Sequence, residues 1–153
     1  MPPSPLRDSL PEHALLPGGA SLATWPTLLI VDDDPQMLET LVWYFEKRRF
    51  HVAAAATLAE ARNLFHRCRS WSLVISDYHL PDGTGLELCW WIRDQGTAAP
   101  AFLVMSGSTP CPAVGAGVAF LPKPFSLQAL EQRVHALLGL PAACTGPGAA
   151  LGA

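Results

Sequence analysis

Six polar residues at or just beyond the ends of apolar runs have the types and the setting to do chemistry together. Asp32, Asp33 and Asp34 follow directly on the apolar run Leu28–Val31, and Asp77 follows Leu73–Ser76. Ser106 closes "AFLVMS", and Lys123 stands in "FLPKPF". Adjacent carboxylates repel and are costly to desolvate, so three in a row need open solvent or a cation. Carboxylates gathered from two strands suit a hard divalent cation; Mg2+ takes few protein ligands and keeps several waters. A carboxylate is also a nucleophile toward phosphorus, giving an acyl phosphate. A lysine and a hydroxyl nearby would neutralise and hydrogen-bond the oxygens of a transferred phosphoryl group. For "DDDP" taken alone, a solvated acidic turn is the plain alternative. A flavin or dinucleotide site would need a glycine- or hydroxyl-rich phosphate loop after the first strand, whereas an acidic loop repels phosphate unless metal intervenes.

What must position these residues is an alternation of strands and helices. Leu28–Val31 reads as a strand, and Pro35–Arg49 as a helix with Met37/Leu38, Leu41/Val42 and Phe45 at helical spacing. "HVAAAA" is a weak second strand. The helix "TLAEARNLFHRC" opens on the capping box Thr57-x-x-Glu60. Leu73–Ser76 is the third strand and Gly85–Arg93 a helix; "AFLVMS" and "VAFL" are the fourth and fifth strands. Ser126–Leu138 is the last helix, with Leu127, Leu130, Val134 and Leu137 inward and Gly139 as its stop. Strands that are apolar throughout have both faces covered, which predicts an α/β fold with a doubly wound, five-stranded parallel sheet. In such sheets ligands bind beyond the carboxyl ends of the strands, where all six polar residues fall.

Composition bounds the rest. The 153 residues are 50% apolar and 15% charged, enough for one domain with its own core. Net charge is −3 and no basic block stands out, which disfavours nucleic-acid binding. Cys68, Cys89, Cys111 and Cys144 lie far apart with no C-x-x-C pair, so neither a zinc site nor a disulfide framework is suggested. Proline and glycine concentrate in 1–26 and 139–153. This divides the chain into an N-terminal extension (1–26), a folded unit (27–139) and a C-terminal tail (140–153), both ends expected to be disordered. There is no secretory h-region and no apolar run of membrane-spanning length, so a cytoplasmic location without membrane contact is expected.

"LLIVDDDPQML", "LVISDYHLPDGTGLEL", "LVMSGS" and "FLPKPF", in this order and spacing, resemble the receiver domain of two-component response regulators over about Thr27–Leu138. The resemblance implies the strand order 2-1-3-4-5 of flavodoxin-like folds. It implies Asp77 as phospho-acceptor, attacking the phosphohistidine of a sensor histidine kinase or histidine phosphotransfer protein. Asp32, Asp33 and Asp77 would hold Mg2+, with the backbone carbonyl of His79 completing the protein ligands. Ser106, Lys123 and the backbone of Gly107 would bind the phosphoryl group, and the Lys123–Pro124 bond would be cis. Phe120 would be the aromatic switch that follows Ser106, and His79 and Ser108 would tune phosphoryl lifetime. Asp82 and Gly83 read as turn formers. Catalysis would be limited to the chain's own phosphorylation and dephosphorylation at Asp77.

The pattern departs from the family between Ser106 and Phe120. That interval is "GSTPCPAVGAGVA", shorter than usual by about five residues, or one and a half helical turns. With two prolines and two internal glycines, it predicts a helix 4 reduced or absent. The apolar sheet surface so uncovered would be covered by the N-terminal segment, a downstream protein partner or a second copy in a homodimer. With no output domain after Leu138, a stand-alone receiver is the expected form. Two other readings compete. One is a phosphorylation-independent interaction module with a receiver fold. The other is a haloacid-dehalogenase-type phosphatase using Asp32-x-Asp34, disfavoured by Gln36 and by the lack of a late acidic pair.

Overall fold

The five apolar runs lie side by side in one parallel sheet. The computed structural model describes residues 25–68, 70–96, 99–107 and 117–141. Its elements in chain order are β1 (Thr27–Val31), α1 (Pro35–Glu46), β2 (His51–Ala55), α2 (Leu58–Arg67) and β3 (Leu73–Asp77). Then come the short strands β4 (His79–Leu80) and β5 (Gly83–Thr84), α3 (Gly85–Arg93), β6 (Ala101–Ser106), β7 (Val118–Pro122) and α4 (Leu127–Leu138). The main sheet runs β2-β1-β3-β6-β7, which is the expected 2-1-3-4-5 order when only its own strands are counted. All its pairings are parallel, from Leu28↔Val52 and Leu28↔Leu73 across to Ser106↔Pro122.

Alternation along each strand builds two cores. Leu29, Val31, Ala53, Ala55, Val74, Phe102 and Val104 face α2 and α3. Their neighbours Leu28, Ile30, Val52, Ala54, Leu73, Ile75, Leu103 and Met105 face α1 and α4. Each large side chain so buried contributes about 1.5–3 kcal/mol, which is why near-continuous apolar runs are compatible only with a central sheet. Cys68 and Cys89 are buried in the α2/α3 core as free thiols. On α3, Trp90 is exposed while Trp91 packs against Phe65 and His66.

Helix starts follow local chemistry. Asp34, Thr57, Thr84 and Ser126 are N-caps, each with a side-chain oxygen accepting from a first-turn N–H. The first helix is shorter than its spacing predicts. It ends at Glu46, not Arg49, because Arg49 takes a left-handed φ of 69° and turns Phe50 into the core. The Phe50 N–H then closes the helix by donating to the Phe45 carbonyl at 3.1 Å. The expected loss of helix 4 falls on 108–116, outside the described residues, as do 1–24, 142–153, Cys111 and Cys144. Among the described residues, no helix is long and apolar enough to cross a membrane.

Candidate functional site

The three adjacent aspartates separate into different environments. Asp32 extends the β1–β2 ladder by one bond, its N–H donating to the Ala55 carbonyl at 3.1 Å, and this draws its side chain into the fold with no exposed surface. Its Oδ1 accepts the Asp34 N–H at 2.9 Å. Asp33 is exposed. Asp34 turns away to cap α1, accepting from Gln36 N–H at 3.0 Å and Met37 N–H at 3.5 Å, with Pro35 at the first helical position. Its carboxylate is therefore engaged with the helix.

Asp77 stands at the end of β3, only 9% exposed. Its surroundings are fixed by the turn that follows. Tyr78 N–H donates to the Met105 carbonyl at 2.7 Å, and Gly85 N–H donates to the Tyr78 carbonyl at 2.9 Å. A Cβ on Gly85 would lie 2.6 Å from the Asp77 carbonyl oxygen and 2.9 Å from Ser76 Oγ. Only glycine lets α3 start this close to β3. His79 and Thr84 pair in the antiparallel β4–β5 hairpin above this point.

Lys123 comes from the far side. Its N–H bonds the Ser106 carbonyl at 2.7 Å, continuing the β6–β7 ladder, and the bond to Pro124 is cis as expected. Its Nζ lies 3.4 Å from Asp77 Oδ1 and 3.5 Å from Asp32 Oδ2. Ser106 is buried at the end of β6. Gly107 is exposed, and among the described residues a Cβ there would meet nothing nearer than Lys123 Cβ at 4.0 Å. Phe120 is half-buried against the α2/α3 core on the edge strand β7. His79 is exposed, its ring edge-on to Tyr78 at 4.7 Å. Ser108 lies outside the described residues.

One carboxylate oxygen from each of Asp32, Asp33 and Asp77 falls within 4.8 Å of the others. Three carboxylates and one ammonium leave a formal charge of −2 among these groups. The Lys123 contacts are longer than the 2.7–2.9 Å of a strong charge-assisted bond, so neutralisation is incomplete. Burial pushes the Asp32 carboxyl above its ordinary range and neighbouring Asp77 adds to this, against the opposing pull of the Asp34 N–H and Lys123. Hard oxygen donors with a residual double negative charge fit a divalent cation such as Mg2+.

Two contacts near the site were not evident from the motifs. Arg133 of α4 donates to the Phe120 carbonyl at 2.7 Å, satisfying a backbone acceptor of the expected switch residue itself on the edge strand. Asp82, read as a turn former, also accepts two backbone N–H groups of α2. Neither partner is close in sequence, so no local signal could have identified either contact.

Comparison with known proteins agrees with this geometry. The family profile of the response regulator receiver domain matches residues 28–135. Response regulator protein PilR of Pseudomonas aeruginosa is 34% identical over 116 residues, covering 73% of this chain and 26% of PilR. Transcriptional regulatory protein GltR of the same organism is 34% identical over 119 residues, covering 73% of this chain and 48% of GltR. The chain thus spans half or less of the length of these curated relatives. The non-phosphorylated HemR receiver domain from Leptospira biflexa superposes with a TM-score of 0.65 at 32% identity, covering 77% of this chain and 98% of that domain. With the sheet order, the acidic strand ends and the profile all in agreement, the chain belongs to the response regulator receiver domain family.

Proposed function

We propose that the chain is a phospho-accepting receiver in which Asp77 takes a phosphoryl group from a phosphohistidine. The observation that carries this is the meeting of one ammonium, Lys123 Nζ, with Asp77 and Asp32 at 3.4 and 3.5 Å, inside a cluster of three carboxylates. An Asp77 oxygen forms the new O–P bond as the P–N bond to the donor imidazole breaks. Asp32, Asp33, Asp77 and the His79 carbonyl would hold Mg2+, which when bound offsets the charge of the carboxylates and of the incoming phosphoryl oxygens. Lys123 then pairs with phosphoryl oxygen, and Ser106 Oγ and the Gly107 N–H donate to it. Phe120 moves inward as Ser106 shifts, while His79 and Ser108 flank the acyl phosphate and set its lifetime.

The donor would be a sensor histidine kinase or a histidine phosphotransfer protein in the cytoplasm. Phosphorylation would change binding to a downstream protein, with no direct nucleic-acid contact by this domain. The haloacid-dehalogenase reading loses support because Asp34, its required second aspartate, is occupied as the cap of α1.

Acetyl phosphate with Mg2+, followed by intact-mass measurement of wild type and Asp77→Ala, tests the proposal. One added phosphoryl group in the wild type and none in the variant is expected. Labelling that persists in Asp77→Ala contradicts the acceptor assignment. Absence of labelling in the wild type leaves a phosphorylation-independent interaction module as the better reading.

A further inference from the structure

The hairpin after Asp77 is too small to hold itself in place. Its two strands have two residues each, and so little pairing is marginal without outside support. Its base is fixed by the Tyr78 and Gly85 backbone bonds and by Leu80, which is buried. Its tip is fixed by Asp82, whose Oδ1 accepts the Leu58 N–H at 2.8 Å and whose Oδ2 accepts the Ala59 N–H at 3.1 Å. Gly83 shows the closeness of this contact independently: with φ at 155°, a Cβ there would lie 2.4 Å from Leu58 Cδ1.

The start of α2 does not depend on Asp82 alone. Thr57 Oγ1 accepts the Glu60 N–H at 3.1 Å, Glu60 Oε1 accepts the Ala56 N–H at 2.7 Å, and Ala61 N–H reaches the Thr57 carbonyl. The local cap leaves the Leu58 and Ala59 N–H groups unpaired, and Asp82 takes both. The bond from Leu58 leads the causes holding the Asp82 carboxyl below its ordinary range, so it accepts as the ionised form at neutral pH. In the sheet, β1 lies between β2, which leads into α2, and β3, which leads into the hairpin. The Asp82 link therefore runs past the end of β1, where Asp32 and Asp33 stand.

We infer that Asp82 is a positioning residue for the metal site: by fastening the hairpin tip to the first turn of α2, it fixes the hairpin that carries His79, so that the His79 carbonyl faces the cation held by Asp32, Asp33 and Asp77. This rests on the proposed Mg2+ site. The link acts on metal affinity, beyond its contribution to the stability of α2.

Calorimetric titration of the intact chain with Mg2+ separates these effects, using wild type, Asp82→Ala, Asp82→Asn and Thr57→Ala. Asp82→Ala raises the Mg2+ Kd about tenfold, at the low end of what loss of a supporting partner costs a metal site. Asp82→Asn keeps one acceptor oxygen and falls between wild type and alanine. Thr57→Ala removes a cap from the same helix and lowers the melting temperature, but leaves the Kd unchanged. An unchanged Kd in Asp82→Ala, or an equal loss in Thr57→Ala, overturns the inference while the metal site stands. If Asp82→Ala does not fold, an unchanged Kd in Asp82→Asn overturns it equally. Failure of the wild type to bind Mg2+ overturns the metal site itself, and the inference with it.

Discussion

Asp32 and Glu131 are both buried carboxylates, at 0% and 3% exposure, yet the fold treats them in opposite ways. Glu131 of α4 is paired with the α1 side through one oxygen. Its Oε1 accepts from Tyr44 Oη at 2.6 Å and Arg48 Nε at 2.9 Å, both on the α1 side, and Oε2 lies 3.7 Å from His135 Nε2. The Arg48 guanidinium also sits 3.8 Å over the Tyr44 ring. Among the described residues, Asp32 has one short bond, from the Asp34 backbone, and a long one to Lys123, with Asp77 and Asp33 crowding it. The first group is a fastening between α1 and α4. The second keeps acceptor capacity free, as the proposed cation site requires.

Breaking the satisfied side should have the largest effect. Glu131→Ala leaves the buried Tyr44 hydroxyl and one face of Arg48 without an acceptor, and removal of one partner of a buried pair costs about 3 kcal/mol. A urea midpoint lowered accordingly, with Mg2+ affinity unchanged, is the expected result. Tyr44→Phe removes a single bond to a charged acceptor and should cost about 1.5–3 kcal/mol. Burial first, and then the hydrogen bond to Glu131, push the Tyr44 phenol up to about 12 from its ordinary 10.0. A raised folded-state value means that the neutral phenol is favoured by folding. Its contribution is complete below pH 10 and is lost as pH rises toward 12. Unfolding midpoints across that window should fall in the wild type and lose this component in Tyr44→Phe.

The smallest effect belongs to the third aspartate. Asp34→Asn keeps a good N-cap and should change stability by less than about 0.5 kcal/mol, whereas Asp33→Asn should weaken Mg2+ binding with little change in the metal-free fold. Paired melting curves with and without Mg2+ distinguish the two adjacent residues.

What could be read in advance was local or periodic. Apolar runs of strand length and 3.6-residue spacing locate the elements, and Thr57 and Ser126 announce helix starts because a cap acts within three residues of itself. The acids at the ends of β1 and β3 could be brought to one end of the sheet because alternation implies parallel strands; that β1 and β3 are neighbours came from the family resemblance, not from alternation. Glu131 could not be told from a solvated helix acid, since its partners Tyr44 and Arg48 lie more than eighty residues away. The same holds for Asp82, whose turn chemistry was evident while its link to α2 was not. Arg49 escaped notice because a left-handed residue without glycine or asparagine leaves no trace in composition.

The contrast between the two carboxylates is tested most directly by the Mg2+-induced shift in melting temperature of wild type, Glu131→Gln and Asp32→Asn. At ten times its Kd, Mg2+ adds about 1.4 kcal/mol, several degrees for a domain of this size. The shift should be the same size in wild type and in Glu131→Gln, although the latter melts lower. In Asp32→Asn the metal-free protein should melt slightly higher, because burial disfavours the charge it removes, and the Mg2+ shift should vanish. A wild type that does not respond to millimolar Mg2+, or an Asp32→Asn variant that responds as the wild type does, would contradict the account.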